Sequence, residues 1–224
     1  MLIRLTKVLD AERLQAVAEL LTGADFVDGR LSAGAEARRV KRNLELAPGS
    51  DRRERLNAVV MNALVRHPDY QAAALPARVA TPFYARYAPG MSYGEHVDNP
   101  VMGSAPHLYR ADVAVTIFLN DATDYDGGEL WIRTTFGDQT VKLPAGDAVL
   151  YPASSLHRVT EVTRGERRVA VTWVQSLVRD AARRELLYEL HRAREKLLRD
   201  APQAPETLGV GRAYLNLIRM WAET

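Results

Sequence analysis

The sequence predicts an α+β chain, mainly β, with a barrel or jelly-roll core between N-terminal helices and a C-terminal helical extension. Between residues 78 and 176 about eight short apolar or alternating runs are separated by turns bearing Gly, Asp and Pro, the pattern of a barrel or double-sheet jelly roll. Apolar residues recur at helical spacing on both sides of that stretch. The chain has 224 residues and 47% hydrophobic content, enough for one substantial core with appended helices. The expected division is 1–77 as an N-terminal helical region packing on the core, 78–177 as the core domain, and 178–224 as the C-terminal extension.

Residues 10–22 read as a helix with Asp10 as N-cap, an apolar stripe of Leu14, Val17, Ala18 and Leu21, and Gly23 as stop. Residues 24–50, with Gly29, Gly34 and Pro48-Gly49 as breakers, read as irregular. A second helix spans 51–66, capped by Ser50 or Asp51 and ended at His67-Pro68, with a short helical turn over 69–74. Val113 to Leu119 is a near-continuous apolar run, expected of a strand covered on both faces. Leu130 to Thr134, Thr140 to Leu143, Ala148 to Tyr151 and Val169 to Val174 are further strands. Tyr125-Asp126-Gly127-Gly128 and Pro144-Ala145-Gly146-Asp147 read as turns. Residues 180–199 place Leu186, Leu190, Ala193 and Leu197 at helical spacing, and residues 207–222 place Tyr214, Leu217, Ile218 and Trp221 on one face. This tail is expected to cover the core or to join subunits into a homo-oligomer.

Composition removes several function classes. The net charge of +2 and the scattered arginines give no nucleic-acid footprint. No cysteine is present, so a metal site must use nitrogen and oxygen ligands. No apolar run approaches a membrane span, and the start shows no signal-peptide pattern. A cytoplasmic, non-membrane protein is the expectation.

The chemistry concentrates in two segments. His96-Val97-Asp98 places an imidazole and a carboxylate on one face if the segment is a strand. Such a triplet arises by chance in roughly one comparable sequence in four, so alone it is weak. His157, on a later strand, is a reachable third ligand in a jelly roll. Two imidazoles and one carboxylate with positions left open are the ligand set of non-haem Fe(II) oxygenases. Arg167 follows ten residues after His157, beyond the Arg164-Gly165-Glu166 turn. It is expected to lie near His157 across a hairpin and to clamp a carboxylate, with Arg168 pointing the other way. Glu95 should turn away from the His96 face. His67 and His191 are expected at the surface, and the segment holding His107 and Arg110 to be a connection, a lid or a substrate contact.

Taken together, His96-Val97-Asp98-Asn99, Asp112 to Leu119, Tyr125 to Leu130, Leu150 to His157 and Gly165-Glu166-Arg167 resemble the Fe(II)- and 2-oxoglutarate-dependent prolyl/lysyl hydroxylase domain. The whole chain resembles the bacterial PKHD-type hydroxylases, an iron-uptake-associated family. The resemblance implies a double-stranded β-helix (jelly-roll) oxygenase domain at 78–177. It implies that His96, Asp98 and His157 bind one Fe(II), that Arg167 pairs with the distal carboxylate of 2-oxoglutarate, and that Tyr87 lines the co-substrate pocket. A second pocket tyrosine of some relatives is Phe118 here, so its hydrogen bond should be missing, and Trp173 is expected in the pocket wall or the core. O2 is the second co-substrate and L-ascorbate an accessory candidate. The implied reaction hydroxylates a substrate and releases succinate and CO2. That substrate is left open between prolyl or lysyl side chains and an iron-uptake compound such as a siderophore. Two other classes use the same ligands: a metal-binding sensor module without turnover, and a non-redox hydrolase preferring zinc. The hydrolase gives Arg167 no obvious role, and neither class explains the His157-to-Arg167 spacing.

Overall fold

A computed structural model describes residues 1–49 and 51–223. The N-terminal region runs β1 (Ile3–Leu5), α1 (Ala11–Leu21), β2 (Phe26–Asp28), a 3-10 turn (Gly29–Ser32), α2 (Ala37–Val40), β3 (Lys41–Arg42), β4 (Leu44–Leu46), α3 (Asp51–Arg66) and α4 (Pro68–Ala74). The β-rich region runs β5 (Pro76–Val79), β6 (Phe83–Tyr87), β7 (Ser92–His96), β8 (Val101–Met102), β9 (Tyr109–Arg110), β10 (Val113–Phe118), β11 (Tyr125–Gly127) and β12 (Leu130–Thr134). It continues with β13 (Gly137–Val141), β14 (Ala148–Pro152), β15 (His157–Val159), β16 (Val162–Gly165) and β17 (Arg167–Ser176). Two helices follow, α5 (Ala181–Asp200) and α6 (Pro205–Trp221).

An eight-stranded sheet in the order β1-β14-β10-β17-β6-β4-β2, with β5 also on β17, accompanies a five-stranded sheet, β13-β12-β15-β7-β3. Every pairing is antiparallel. Pleat alternation sorts the larger sheet's side chains onto two faces. Val113, Val115, Ile117, Ala148, Leu150, Ala170 and Val174 pack outward with Val17, Leu56, Val60, Leu64 and Tyr70 of the N-terminal helices. Ala114, Phe118, Val149, Tyr151 and Val169 pack inward with Leu130, Ile132 and Val159 of the smaller sheet. All six residues of β10 are buried, which is why that segment reads as a continuous apolar run. The inward face is the wall of the cavity described below.

The first helix forms as its cap predicts. Asp10 accepts from the Arg13 backbone N–H at 2.9 Å and starts α1. Ala18, however, is exposed, and the partly buried Leu20 packs against the core in its place. Ser50, one of the expected caps of α3, lies outside the described residues.

Several expectations are corrected. Residues 24–50 are not simply irregular: β3 pairs with β7 and β4 pairs with β6, so this short stretch joins both sheets. Its period-2 pattern is hidden because the inward positions are Lys41, Asn43 and Glu45, all buried. Tyr125–Gly127 is a strand paired with β16 through a bulge at Gly127. Its glycines do not mark a turn: a Cβ at Gly127 would lie 1.9 Å from the Glu161 carbonyl oxygen, so close backbone approach excludes a side chain. The third strand expected over 140–143 is Gly137–Val141, closed against β12 by a tight hairpin. On α5 the buried face is Arg184, Leu187 and Tyr188. Leu186 and Ala193 are exposed, because the helix turns an arginine inward to donate to the Val178 and Arg179 carbonyls at 2.7 Å each. On α6 the expected stripe holds, with Tyr214, Leu217, Ile218 and Trp221 packing in a cluster with Leu75, Val178 and Leu187. No helix among the described residues is long and apolar enough to cross a membrane.

Candidate active site

Two imidazoles and a carboxylate meet at the end of the smaller sheet. His96 closes β7 and His157 opens β15, and the two are directly paired in the ladder. Asp98 lies just beyond β7, and Val97 between them is 49% exposed rather than turned into a packed layer. His96 Nε2 and His157 Nε2 stand 3.9 and 3.8 Å from Asp98 Oδ1. One ligand atom from each of the three residues lies within 4.8 Å of the others.

Each side chain is oriented by a second contact. His96 Nδ1 donates to the Gly94 carbonyl at 2.8 Å, and His157 Nδ1 donates to the Ser155 carbonyl at 2.9 Å. A proton held on Nδ1 leaves the Nε2 lone pair free, and it is Nε2 that faces the cluster. Burial, followed by repulsion from His157, pulls the His96 pKa down to about 3, so this imidazole is neutral at physiological pH. Burial pushes Asp98 upward, opposed by His157 and by a hydrogen bond from Trp173. That bond runs from Trp173 Nε1 to Asp98 Oδ2 at 2.8 Å and leaves Oδ1 pointing at the imidazoles. Tyr93 stacks on the His96 ring at 3.6 Å between centroids, and Tyr151 meets His157 edge-on at 5.3 Å.

The cluster opens into a cavity of about 530 Å³ whose lining also includes Tyr87, Thr116, Tyr151, Arg167 and Trp173, a volume typical of small-molecule sites. Arg167 is 1% exposed. Its Nε and Nη1 have no hydrogen-bond partner among the described residues. Its Cζ lies 5.0 Å from the Tyr87 ring and 5.6 Å from the Phe118 ring, and it pairs with Tyr87 in the β17–β6 ladder. The expected hairpin between His157 and Arg167 is not formed. β15 pairs with β12 and β7, whereas β17 belongs to the other sheet. The chain crosses over through β16, and Gly165 (φ +70°) ends that strand. Arg167 therefore faces the His96–Asp98–His157 cluster across the barrel interior.

Glu95 is exposed and paired with Arg158, and Arg168 points away to Glu166. His67, between α3 and α4, is half-buried with its Nε2 3.1 Å from the Thr6 carbonyl oxygen, and His191 is half-buried against Tyr214, where α5 packs on α6. His107 is exposed. Arg110 pairs with Asp112 and Glu223, while Val101, Met102, Gly103 and Tyr109 of the same segment line the cavity. Tyr125 escaped the sequence reading because its segment reads as a turn; its buried hydroxyl has no partner. Gly128 (φ +67°) lies beneath both, since a Cβ there would come 3.0 Å from Arg167 Cδ and from Tyr125 Cε2.

Two substitutions probe this second layer. Trp173→Phe keeps the wall but removes the hydrogen bond to Asp98; metal affinity, read by competition with a chelator, should fall about tenfold or more. Gly128→Ala should displace the Arg167 and Tyr125 side chains and lower unfolding stability by about 1–2 kcal/mol through the left-handed backbone alone. Unchanged denaturant midpoints would show that the glycine is not required.

Comparison with known proteins assigns the class first. Residues 82–175 match the 2OG-Fe(II) oxygenase superfamily, and residues 180–223 match the PKHD-type hydroxylase C-terminal domain. A prolyl hydroxylase from Trichoplax adhaerens, solved with a hypoxia inducible factor peptide fragment, shares the fold. Its TM-score is 0.58 at 18% identity, with 78% of this chain and 83% of that chain covered. Over full length, the chain is 54% identical to a PKHD-type hydroxylase of Thioalkalivibrio sulfidiphilus and 47% identical to one of Hyphomonas neptunium, with 100% of each chain covered. The chain belongs to the PKHD-type hydroxylase family. It is a 2-oxoglutarate-dependent dioxygenase that uses Fe(II) and O2, and its core is the jelly roll of that class.

Proposed function

We propose that His96, Asp98 and His157 hold the Fe(II), and that Arg167, flanked by Tyr87, receives the distal carboxylate of 2-oxoglutarate. The observation that carries this reading is the Arg167 guanidinium: buried, without an ion-pair partner among the described residues, and opening on the cavity that the three ligands share. A buried charge left uncompensated is costly, and a carboxylate ligand removes that cost through charge-assisted bonds. The donor set fits the metal, with two imidazole nitrogens and one carboxylate oxygen and no sulfur. A sensor module or a zinc hydrolase would leave this guanidinium unexplained.

The protein's own groups perform four tasks. The Nδ1–carbonyl bonds and the Trp173–Asp98 bond fix the ligand atoms. Arg167 sets the direction in which the co-substrate lies. Tyr87, whose hydroxyl burial raises to about 12 despite Arg167, stays protonated and donates to the carboxylate. Tyr151, Leu130, Val159 and Val171 keep water from the reacting centre. Iron, when bound, supplies the oxidation that couples 2-oxoglutarate decarboxylation to substrate hydroxylation. We assign the oxygenase chemistry to 78–177, with residues from 1–77 completing the cavity wall. The test is succinate formation from purified protein. It should require Fe(II), 2-oxoglutarate and O2 together. Turnover that persists with zinc alone, or without O2, would reject the assignment.

A further inference from the structure

The cavity has a second polar wall that neither the metal ligands nor Arg167 uses. Lys41, Asn43 and Glu45 occupy alternate positions along β3 and β4, so their side chains share one inward face. Their exposures are 7%, 4% and 7%, and all three line the cavity with Ser32 and Gly34. This segment precedes residue 82, where the superfamily match begins.

Two of the three satisfy each other. Lys41 Nζ donates to Glu45 Oε1 and to Ser32 Oγ, the latter at 3.0 Å. The pair carries no net charge. Asn43 is different: neither its Oδ1 nor its Nδ2 makes a well-formed hydrogen bond there, and the Tyr87 hydroxyl is the polar group within reach of its carboxamide. Gly29 holds this side chain in place. Its N–H donates to the Asn43 carbonyl at 2.9 Å, and a Cβ at Gly29 would fall 1.9 Å from Asn43 Oδ1. A buried carboxamide without a well-formed bond at either end is costly, and it is retained on a wall where a leucine would carry no such cost.

We propose that Lys41, Asn43 and Glu45 form the subsite for the primary substrate, and that the group they read is a neutral amide, as in a peptide or an N-acylated amine. Asn43 lacks a well-formed bond to both a donor and an acceptor, and an amide supplies both. A carboxylate would satisfy only Nδ2 and would approach Glu45. An ammonium group would satisfy only Oδ1 and would approach Lys41. A wall of zero net charge with both hydrogen-bond senses selects a ligand of the same kind. The proposal rests on the oxygenase reading, because the amide matters only if it places a neighbouring carbon at the metal site.

The test uses the full chain loaded with Mn(II), a non-turnover stand-in for Fe(II) that broadens the NMR signals of nearby ligand protons. 2-Oxoglutarate is titrated first. If it does not bind, the oxygenase reading fails independently of this proposal. With it bound, N-acetylalaninamide, the anionic N-acetylalanine and the cationic alaninamide are compared. The neutral amide should be broadened at concentrations at least tenfold below either charged analogue. Asn43→Asp should cut that preference at least tenfold. Glu45→Gln, which leaves the Lys41 charge uncompensated, should shift the preference toward N-acetylalanine, and it carries the test if the Asn43 variant does not fold. Equal broadening by a charged analogue in the wild type, no broadening by any of the three, or an unaltered preference in the folded variants would overturn the proposal.

Discussion

His157→Ala is expected to abolish iron retention and, with it, succinate formation. His157 Nε2 stands 3.8 Å from Asp98 Oδ1 and faces His96 across a ladder pair, and among the described residues the cluster contains no fourth His, Cys, Asp or Glu. If the three residues hold the iron as proposed, the substitution leaves two of three ligands, in a pair oriented for a three-point site. The fold should tolerate the change, because His157 is held by its own strand's Ser155 carbonyl and contributes no apolar anchor. Metal content after gel filtration and succinate yield are the readouts. A variant that retained iron in equal amount would show that the metal sits elsewhere.

Arg167→Met is expected to raise the 2-oxoglutarate requirement about a hundredfold or more while leaving iron bound. Hydrogen bonds to charged groups contribute about 1.5–3 kcal/mol each, and loss of two such bonds accounts for that factor. The same substitution carries a second, opposite signature. Without ligand, the buried guanidinium destabilises the fold, so an apolar replacement of similar length should keep or raise the melting temperature of the ligand-free protein. Adding 2-oxoglutarate should stabilise the wild type by mass action and the variant hardly at all. A lower melting temperature with an intact ligand-induced shift would assign Arg167 a structural role instead.

The legible parts of this chain were those where polarity and period agree. Val113–Phe118 announced a two-sided strand because both its faces are apolar. His96, Asp98 and His157 were legible because their residue types and an intervening residue define a metal-ligand pattern. Period 2 also placed Arg167 inward and Arg168 outward, as observed. What sequence could not supply was the path between His157 and Arg167. The hairpin expected there requires local pairing, but Gly127 and Gly165 permit close backbone approaches that form the β11–β16 pair and carry the chain to the other sheet. Lys41, Asn43 and Glu45 were hidden for a related reason. Strand recognition relies on apolar inward positions, and here the inward positions are polar because they line a cavity. The inward turn of Arg184 on α5 broke the helical stripe in the same way.

His96, Asp98 and His157 are expected to form one co-substrate site with Arg167. Calorimetric titration of 2-oxoglutarate tests it most directly, with wild type and Arg167→Met each measured metal-free and loaded anaerobically with Fe(II). Tight binding should require both iron and Arg167. Loss of either should weaken it about a hundredfold, and loss of both should cost less than the two separate losses added together, because the surviving anchor no longer has a bidentate partner to orient. Equal affinity with and without iron, or with and without the guanidinium, would contradict the account.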